Sequence, residues 1–114
     1  MSVLHKPAYR WTVETTVYVD AAHPRRGIGR ALYSELLDEL TRRGFVTALG
    51  VIAMPNAPSV ALHEALGFAY VGTQAGVGYK FGGWHDIGVW QRDLAPRIAA
   101  PAEPLRAMRN ESRG

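Results

Sequence analysis

The chain has 114 residues, 47% of them hydrophobic and 20% charged, a balance that fits one globular domain and argues against disordered, fibrous and membrane-spanning classes. Thirteen Lys and Arg against ten Asp and Glu give a net charge of +3, but residues 96–114 hold four Arg against two Glu, so the remainder carries only +1; a general nucleic-acid-binding surface is not indicated. There is no cysteine, which excludes disulfide scaffolds, thiolate zinc sites and a cysteinyl acyl-enzyme. The longest apolar run, residues 48–54, contains a glycine and falls far short of the roughly 20 residues of a membrane helix. The first ten residues lack the pattern of a secretory signal, so a cytoplasmic protein is expected.

Residues 11–19 are rich in β-branched and aromatic side chains with near-alternating polarity, which predicts a half-buried strand ending at Asp20. From Ile28 to Arg43 the apolar residues Ile28, Leu32, Leu36, Leu37 and Leu40 recur at spacings of three and four, the pattern of an amphipathic helix. Arg42 and Arg43 suit the negative end of its dipole and Gly44 its termination. Residues 47–54 read as a second, buried strand, so that strand, helix and strand form a parallel βαβ unit.

After Pro55, Asn56 is a helix cap for a short helix closed by Gly67. Residues 68–71 and 77–81 are strand-like, separated by a glycine-containing stretch readable as a bulge or a turn. Gly82-Gly83 signals a hairpin with residues 84–94 as its antiparallel partner. Prolines at 96, 101 and 104 and few large apolar residues predict that the domain ends near residue 95 and a mobile tail follows over 96–114. The expected class is α/β with a mixed sheet, in the order β-α-β-α-β-β.

The sharpest local feature is His23-Pro-Arg-Arg-Gly-Ile-Gly-Arg-Ala31, between a strand and the start of a helix. Glycines at 27 and 29 let the main chain approach a ligand, and a helix start leaves outward-pointing amides with the positive end of the dipole behind them. Arg25, Arg26 and Arg30 add charge that could pair with a pyrophosphate or ribose phosphate; a tight turn with solvated arginines is the alternative. A nucleotide P-loop needs Lys and Ser or Thr after the last glycine, whereas Arg30-Ala31 stand here. A dinucleotide fingerprint would place Leu32 where a small residue is needed.

A strand, a glycine loop, a helix, a strand, then Asn followed seven residues later by a proton donor and Gly-Phe, resembles the coenzyme-A-binding half of the Gcn5-related N-acetyltransferases. The phosphinothricin acetyltransferase group is the most similar. The residues that carry the resemblance are Glu14-Thr-Thr-Val-Tyr-Val19, Gly27-Ile-Gly29, Pro55-Asn-Ala-Pro-Ser-Val60, His63-Glu-Ala-Leu-Gly-Phe68 and Gly83-Trp-His-Asp-Ile-Gly-Val-Trp-Gln91. It spans about Tyr9 to Leu94.

The resemblance implies the acyl-CoA N-acyltransferase fold and acetyl-coenzyme A as co-substrate, with direct transfer to the amino group of a small amino-acid-like compound. It implies that Val17, Tyr18 and Val19 offer main-chain groups to the pantetheine arm where the two parallel strands splay. Amides of Arg25, Arg26, Gly27, Ile28, Gly29 and Arg30 would hold the pyrophosphate, and Asn56 and Ser59 would lie beside the coenzyme. Read alone, Asn56 is a helix cap and Ser59 a first-turn residue.

Glu14 matches the carboxylate that takes a proton from the incoming ammonium, since only the neutral amine can attack a thioester; read alone, it is a solvated strand residue. His63 matches the position from which many relatives protonate the departing thiolate, for which a protonated imidazole is competent; the alternative is a helix-surface histidine. Tyr9, Arg10 and His85 are acceptor-pocket candidates, with packing an equal reading of His85. Two distant histidines without a second carboxylate motif point to no metal site.

Pro24 stands where the family usually has Gln or Arg, with Arg25 as the neighbouring substitute. The resemblance further implies that three strands and two helices precede the position matching Tyr9 in a complete member. An unpaired edge on the first strand would invite a second chain, so a homodimer is expected as one possibility and a coenzyme-binding half-domain that needs a partner as another. No membrane or nucleic-acid partner is expected: no aromatic stacking platform accompanies the arginines.

Overall fold

The computed structural model describes residues 7–22 and 29–105, with the side chains of residues 19–22 left aside. After a short 3-10 turn at Pro7–Tyr9, the elements are β1 (Thr12–Glu14), α1 (Thr15–Ala22), α2 (Arg30–Arg42), β2 (Thr47–Ala53), α3 (Ala57–Ala65), β3 (Ala69–Lys80) and β4 (Gly83–Asp93). The four strands form one mixed sheet in the order β1-β2-β4-β3. β1 and β2 are parallel, while β4 is antiparallel to both β2 and β3. This is the mixed sheet expected, with its parallel unit and its terminal hairpin.

Alternation along β2 turns Ala48, Gly50 and Ile52 inward. Their inward face and Trp90 of β4 pack against Tyr33 and Leu37 of α2 and against Leu66 and Phe68. A second cluster joins Val13 of β1, Leu40 of α2 and Phe45. The helix stripe is rotated from the expected one: Tyr33, Leu37 and Leu40 are buried, whereas Leu32 is 49% exposed. The strand-like stretches on either side of the central glycines form one strand, β3, with register shifts between Tyr70 and Gly72 and between Gln74 and Gly78. Lys80 pairs with Gly83, so the hairpin loop is Phe81-Gly82. Both have positive φ, 52° and 77°, as a type I′ turn requires.

The largest departure lies at the first strand. β1 pairs with β2 for three residues, Thr12 to Glu14 opposite Thr47 to Leu49, and then the chain turns into α1. β-branched residues favour a strand locally, but here two threonine hydroxyls take over the work of a strand edge. Thr15 Oγ1 lies 3.2 Å from the Leu49 carbonyl oxygen, and the Val51 amide donates to Thr16 Oγ1 at 3.2 Å. Both threonines are buried, and this side-chain pairing lets the backbone satisfy itself along a helix instead.

Residues 96–105, read from the sequence as the start of a mobile tail, carry no helix or strand but are tied back to the body. The Leu105 amide donates to the Arg43 carbonyl at 2.8 Å, Trp11 Nε1 donates to the Ala102 carbonyl at 2.8 Å, and Pro104 is buried. Among the described residues, no helix is long and apolar enough to cross a membrane.

Candidate functional site

Parallel strands that stop pairing leave a fork at their carboxyl ends, the usual ligand position in such sheets. Here the two strands diverge after Glu14 and Leu49, where β1 has ended and β2 continues to Ala53, and the β2 side of the fork is met by the hydroxyls of Thr15 and Thr16. Glu14 is the last residue of β1 and is half-buried at that point. The expected carboxylate therefore lies at the fork itself.

The proposed anion cradle is described only in part, because Arg25, Arg26, Gly27 and Ile28 lie outside the described residues. Gly29 is the N-cap of α2, with φ −68° and ψ 151°, and no side chain caps the helix there. Any residue can adopt that conformation, and among the described residues a Cβ on Gly29 would meet nothing within 4 Å. Glycine is itself a favoured N-cap residue, and at this position it also leaves the main chain open to close approach by a ligand. The first-turn amides of a 13-residue helix stand behind that open space, with the positive end of its dipole directed there. This arrangement fits a phosphate group. Arg30 is exposed, with Nη2 3.3 Å from the Ala65 carbonyl.

Val17, Tyr18 and Val19 do not offer a strand edge. They sit inside α1, where hydrogen bonds run along the helix axis, and Tyr18 packs against the cluster of Val13, Leu40 and Phe45. The strand expected at these three residues is replaced by α1, because the chain turns into a helix after Glu14.

Asn56, Ser59 and His63 are brought together along α3. Asn56 Oδ1 accepts from the Ser59 amide at 3.2 Å, as an N-cap does. Ser59 Oγ lies 3.5 Å from His63 Nδ1, and the Ser59 carbonyl is closer, at 2.8 Å. His63 is not a surface histidine: it is 1% exposed. Its ring is held edge-on between Tyr33 and Phe68, at centroid distances of 5.1 and 4.9 Å. Its Nε2 faces the Tyr33 hydroxyl at 2.8 Å.

The acceptor-pocket candidates fall at opposite ends of the sheet. His85, on β4, faces the Met54 carbonyl at 3.3 Å and the Lys80 carbonyl at 3.1 Å, which places it beside the carboxyl end of β2, near Asn56. Tyr9 and Arg10 precede β1 and lie at its amino end. Arg10 pairs with Glu103 at 2.6 Å and covers the Trp11 ring at 4.3 Å. The structure thus gathers Glu14, Asn56, Ser59, His63 and His85 toward the carboxyl ends of β1 and β2 and sets Tyr9 and Arg10 apart.

Three residues without a role in the sequence reading belong to this region. Tyr33 touches both Thr15 and His63, and Gly50 leaves the space that the His63 ring fills. The available signal for Tyr33 was its place four residues before Leu37 in the helix stripe, since a buried tyrosine hydroxyl needs a partner.

The family described as the acetyltransferase (GNAT) domain matches residues 1–89. The phosphinothricin N-acetyltransferase of Streptomyces viridochromogenes is 52% identical over 99 residues, 87% of this chain and 53% of the relative. The L-methionine sulfoximine/L-methionine sulfone acetyltransferase of Salmonella typhimurium is 42% identical over 94 residues, 82% of this chain and 55% of the relative. A phosphinothricin acetyltransferase structure from Sinorhizobium meliloti, in complex with acetyl-CoA, superposes with a TM-score of 0.68 at 30% identity, covering 98% of this chain and 60% of that one. The chain spans about half the length of the curated relatives it matches.

Proposed function

Because this chain belongs to the GNAT acetyltransferase family, we propose that it carries an acetyl group from acetyl-coenzyme A to the amino group of a small amino-acid-like compound of the phosphinothricin or methionine sulfoximine type. The observation that carries this reading is the fork after Glu14 and Leu49, with a carboxylate at its head. Acetyl-coenzyme A supplies an acetyl thioester, an electrophile already activated for attack. Gly29 and the first-turn amides of α2 hold its phosphates, and Asn56 and Ser59 lie beside it. Glu14 takes the proton that the ammonium must lose before its nitrogen has a lone pair. A C–N bond then forms, the nitrogen gives up its second proton to solvent, the C–S bond breaks, and the sulfur leaves as a thiolate that needs a proton. His63 is the source of that proton; at 1% exposure it acts through the groups that it touches.

Calorimetric titration with acetyl-coenzyme A, followed by thiol release in a screen of small amino compounds, tests this. Saturable binding and turnover with an amino-acid-like amine are expected; a folded chain that neither binds nor turns over would refute the reading.

A second reading draws on the length relation and on the place of β1 at the end of the sheet order. The chain then acts as a coenzyme-binding half-domain whose turnover requires a partner, including a second copy, laid along the outer edge of β1. Binding without turnover, together with a mass above that of one chain, favours it.

A further inference from the structure

A buried line of polar contacts crosses the molecule beneath the fork. His63 Nδ1 lies 2.8 Å from the Ser59 carbonyl and Nε2 lies 2.8 Å from the Tyr33 hydroxyl. That hydroxyl lies 2.7 Å from Thr15 Oγ1, which lies 3.2 Å from the Leu49 carbonyl. Thr15 and Tyr33 are 0% exposed. The line joins α3, α2, the β1–α1 junction and β2, and Thr15 is the residue after Glu14.

The ends of the line fix its protons. Both are carbonyls, which only accept, so Nδ1 carries a hydrogen and donates it to Ser59. In a neutral ring Nε2 is then a bare lone pair, and the Tyr33 hydroxyl must donate to it. Thr15 then has one hydrogen for both Tyr33 and the Leu49 carbonyl, so one of those two contacts is left without a proton. In a charged ring every donor reverses: Nε2–H gives to Tyr33, Tyr33 to Thr15 and Thr15 to Leu49, and all four contacts are filled. Tyr33 and Thr15 can each face either way, because a hydroxyl both donates and accepts, and Tyr33 is the one that touches His63. Glu64, the neighbour of His63 in sequence, accepts from Trp90 Nε1 at 3.0 Å.

We propose that Tyr33 is a positioning residue for His63. The Ser59 carbonyl sets the Nδ1–H tautomer, and Tyr33, by turning its own hydroxyl, keeps Nε2 bonded in both charge states. Tyr33 touches neither substrate nor coenzyme in this role, and its part in acetyl transfer rests on the reading of His63 as the proton source.

The test compares the full chain with Tyr33→Phe, which removes one oxygen and keeps the ring packed against His63 and Phe68. In 15N spectra of the histidine rings, the original chain is expected to show His63 as a single Nδ1–H tautomer with a hydrogen-bonded Nε2. The variant is expected to lose that Nε2 signature while keeping the Nδ1–H bond to Ser59. Acetyl-coenzyme A affinity stays within about two-fold, while kcat for thiol release falls by roughly an order of magnitude with a displaced pH profile. Identical ring-nitrogen shifts in the two proteins would overturn the proposal. So would an Nε2–H tautomer in the original chain, which decides the matter even where the variant does not fold. A chain that binds no coenzyme defeats the functional reading alone, since the nitrogen shifts still decide whether Tyr33 holds His63. Shifted nitrogens with unmoved kinetics would instead show that His63 is held but is not the proton source.

Discussion

The imidazole of His63 fills the space in front of Gly50: a Cβ there would lie 2.6 Å from Cδ2 and 2.9 Å from Nε2 of the ring. The ring cannot yield easily, being buried and held at both nitrogens. Gly50→Ala is therefore expected to destabilise the chain by about 1–3 kcal/mol, as overpacking of a filled core does. A urea denaturation midpoint equal to that of the original chain would show that the ring is freer than described.

Gly29 is the opposite case. Among the described residues an added Cβ meets nothing within 4 Å, and the backbone conformation is an ordinary one. The entropic gain of alanine and its poorer capping offset each other to within about 0.5 kcal/mol. Gly29→Ala is expected to melt close to the original chain while losing acetyl-coenzyme A affinity at least about ten-fold, through obstruction of the close main-chain approach. Undiminished binding in calorimetry would move the phosphate site elsewhere.

Glu14→Gln keeps the shape of the fork and removes its base. Thiol release is expected to fall by about a hundred-fold or more with coenzyme affinity nearly unchanged. Equal turnover in the two proteins would take Glu14 out of its role.

Acid will act on the end of α2. Hydrogen bonds from Arg42 and Arg43 hold the Glu39 carboxyl below the usual carboxylate value, with N–O distances of 2.8 and 2.7 Å. A lowered folded-state pKa stabilises the chain above the unfolded value and is lost as pH falls through the folded one. Glu39→Gln should therefore lose less stability on acidification than the original chain, when the two are compared by denaturation midpoints at neutral and acidic pH. Parallel pH dependences would mean that solvent has screened the pair to nothing.

Much of this molecule was legible in its sequence. The amphipathic period of α2, the Asn56 cap of α3, the apolar run of β2 and the glycine at the hairpin follow from bonds and alternation within a few residues, and the parallel-then-antiparallel order follows from joining them. Tertiary structure alone decided the rest. Thr15 and Thr16 sit in a stretch whose local preference is a strand, yet their hydroxyls meet groups of β2 about 35 residues away, and the chain turns into a helix. His63 is drawn under the sheet because Gly50 leaves room and because Tyr33, 30 residues earlier, supplies the hydroxyl its buried nitrogen requires. Local periodicity records which face of an element is buried; it does not record which polar groups meet there, because that depends on distant segments satisfying each other's hydrogen bonds once water has been excluded.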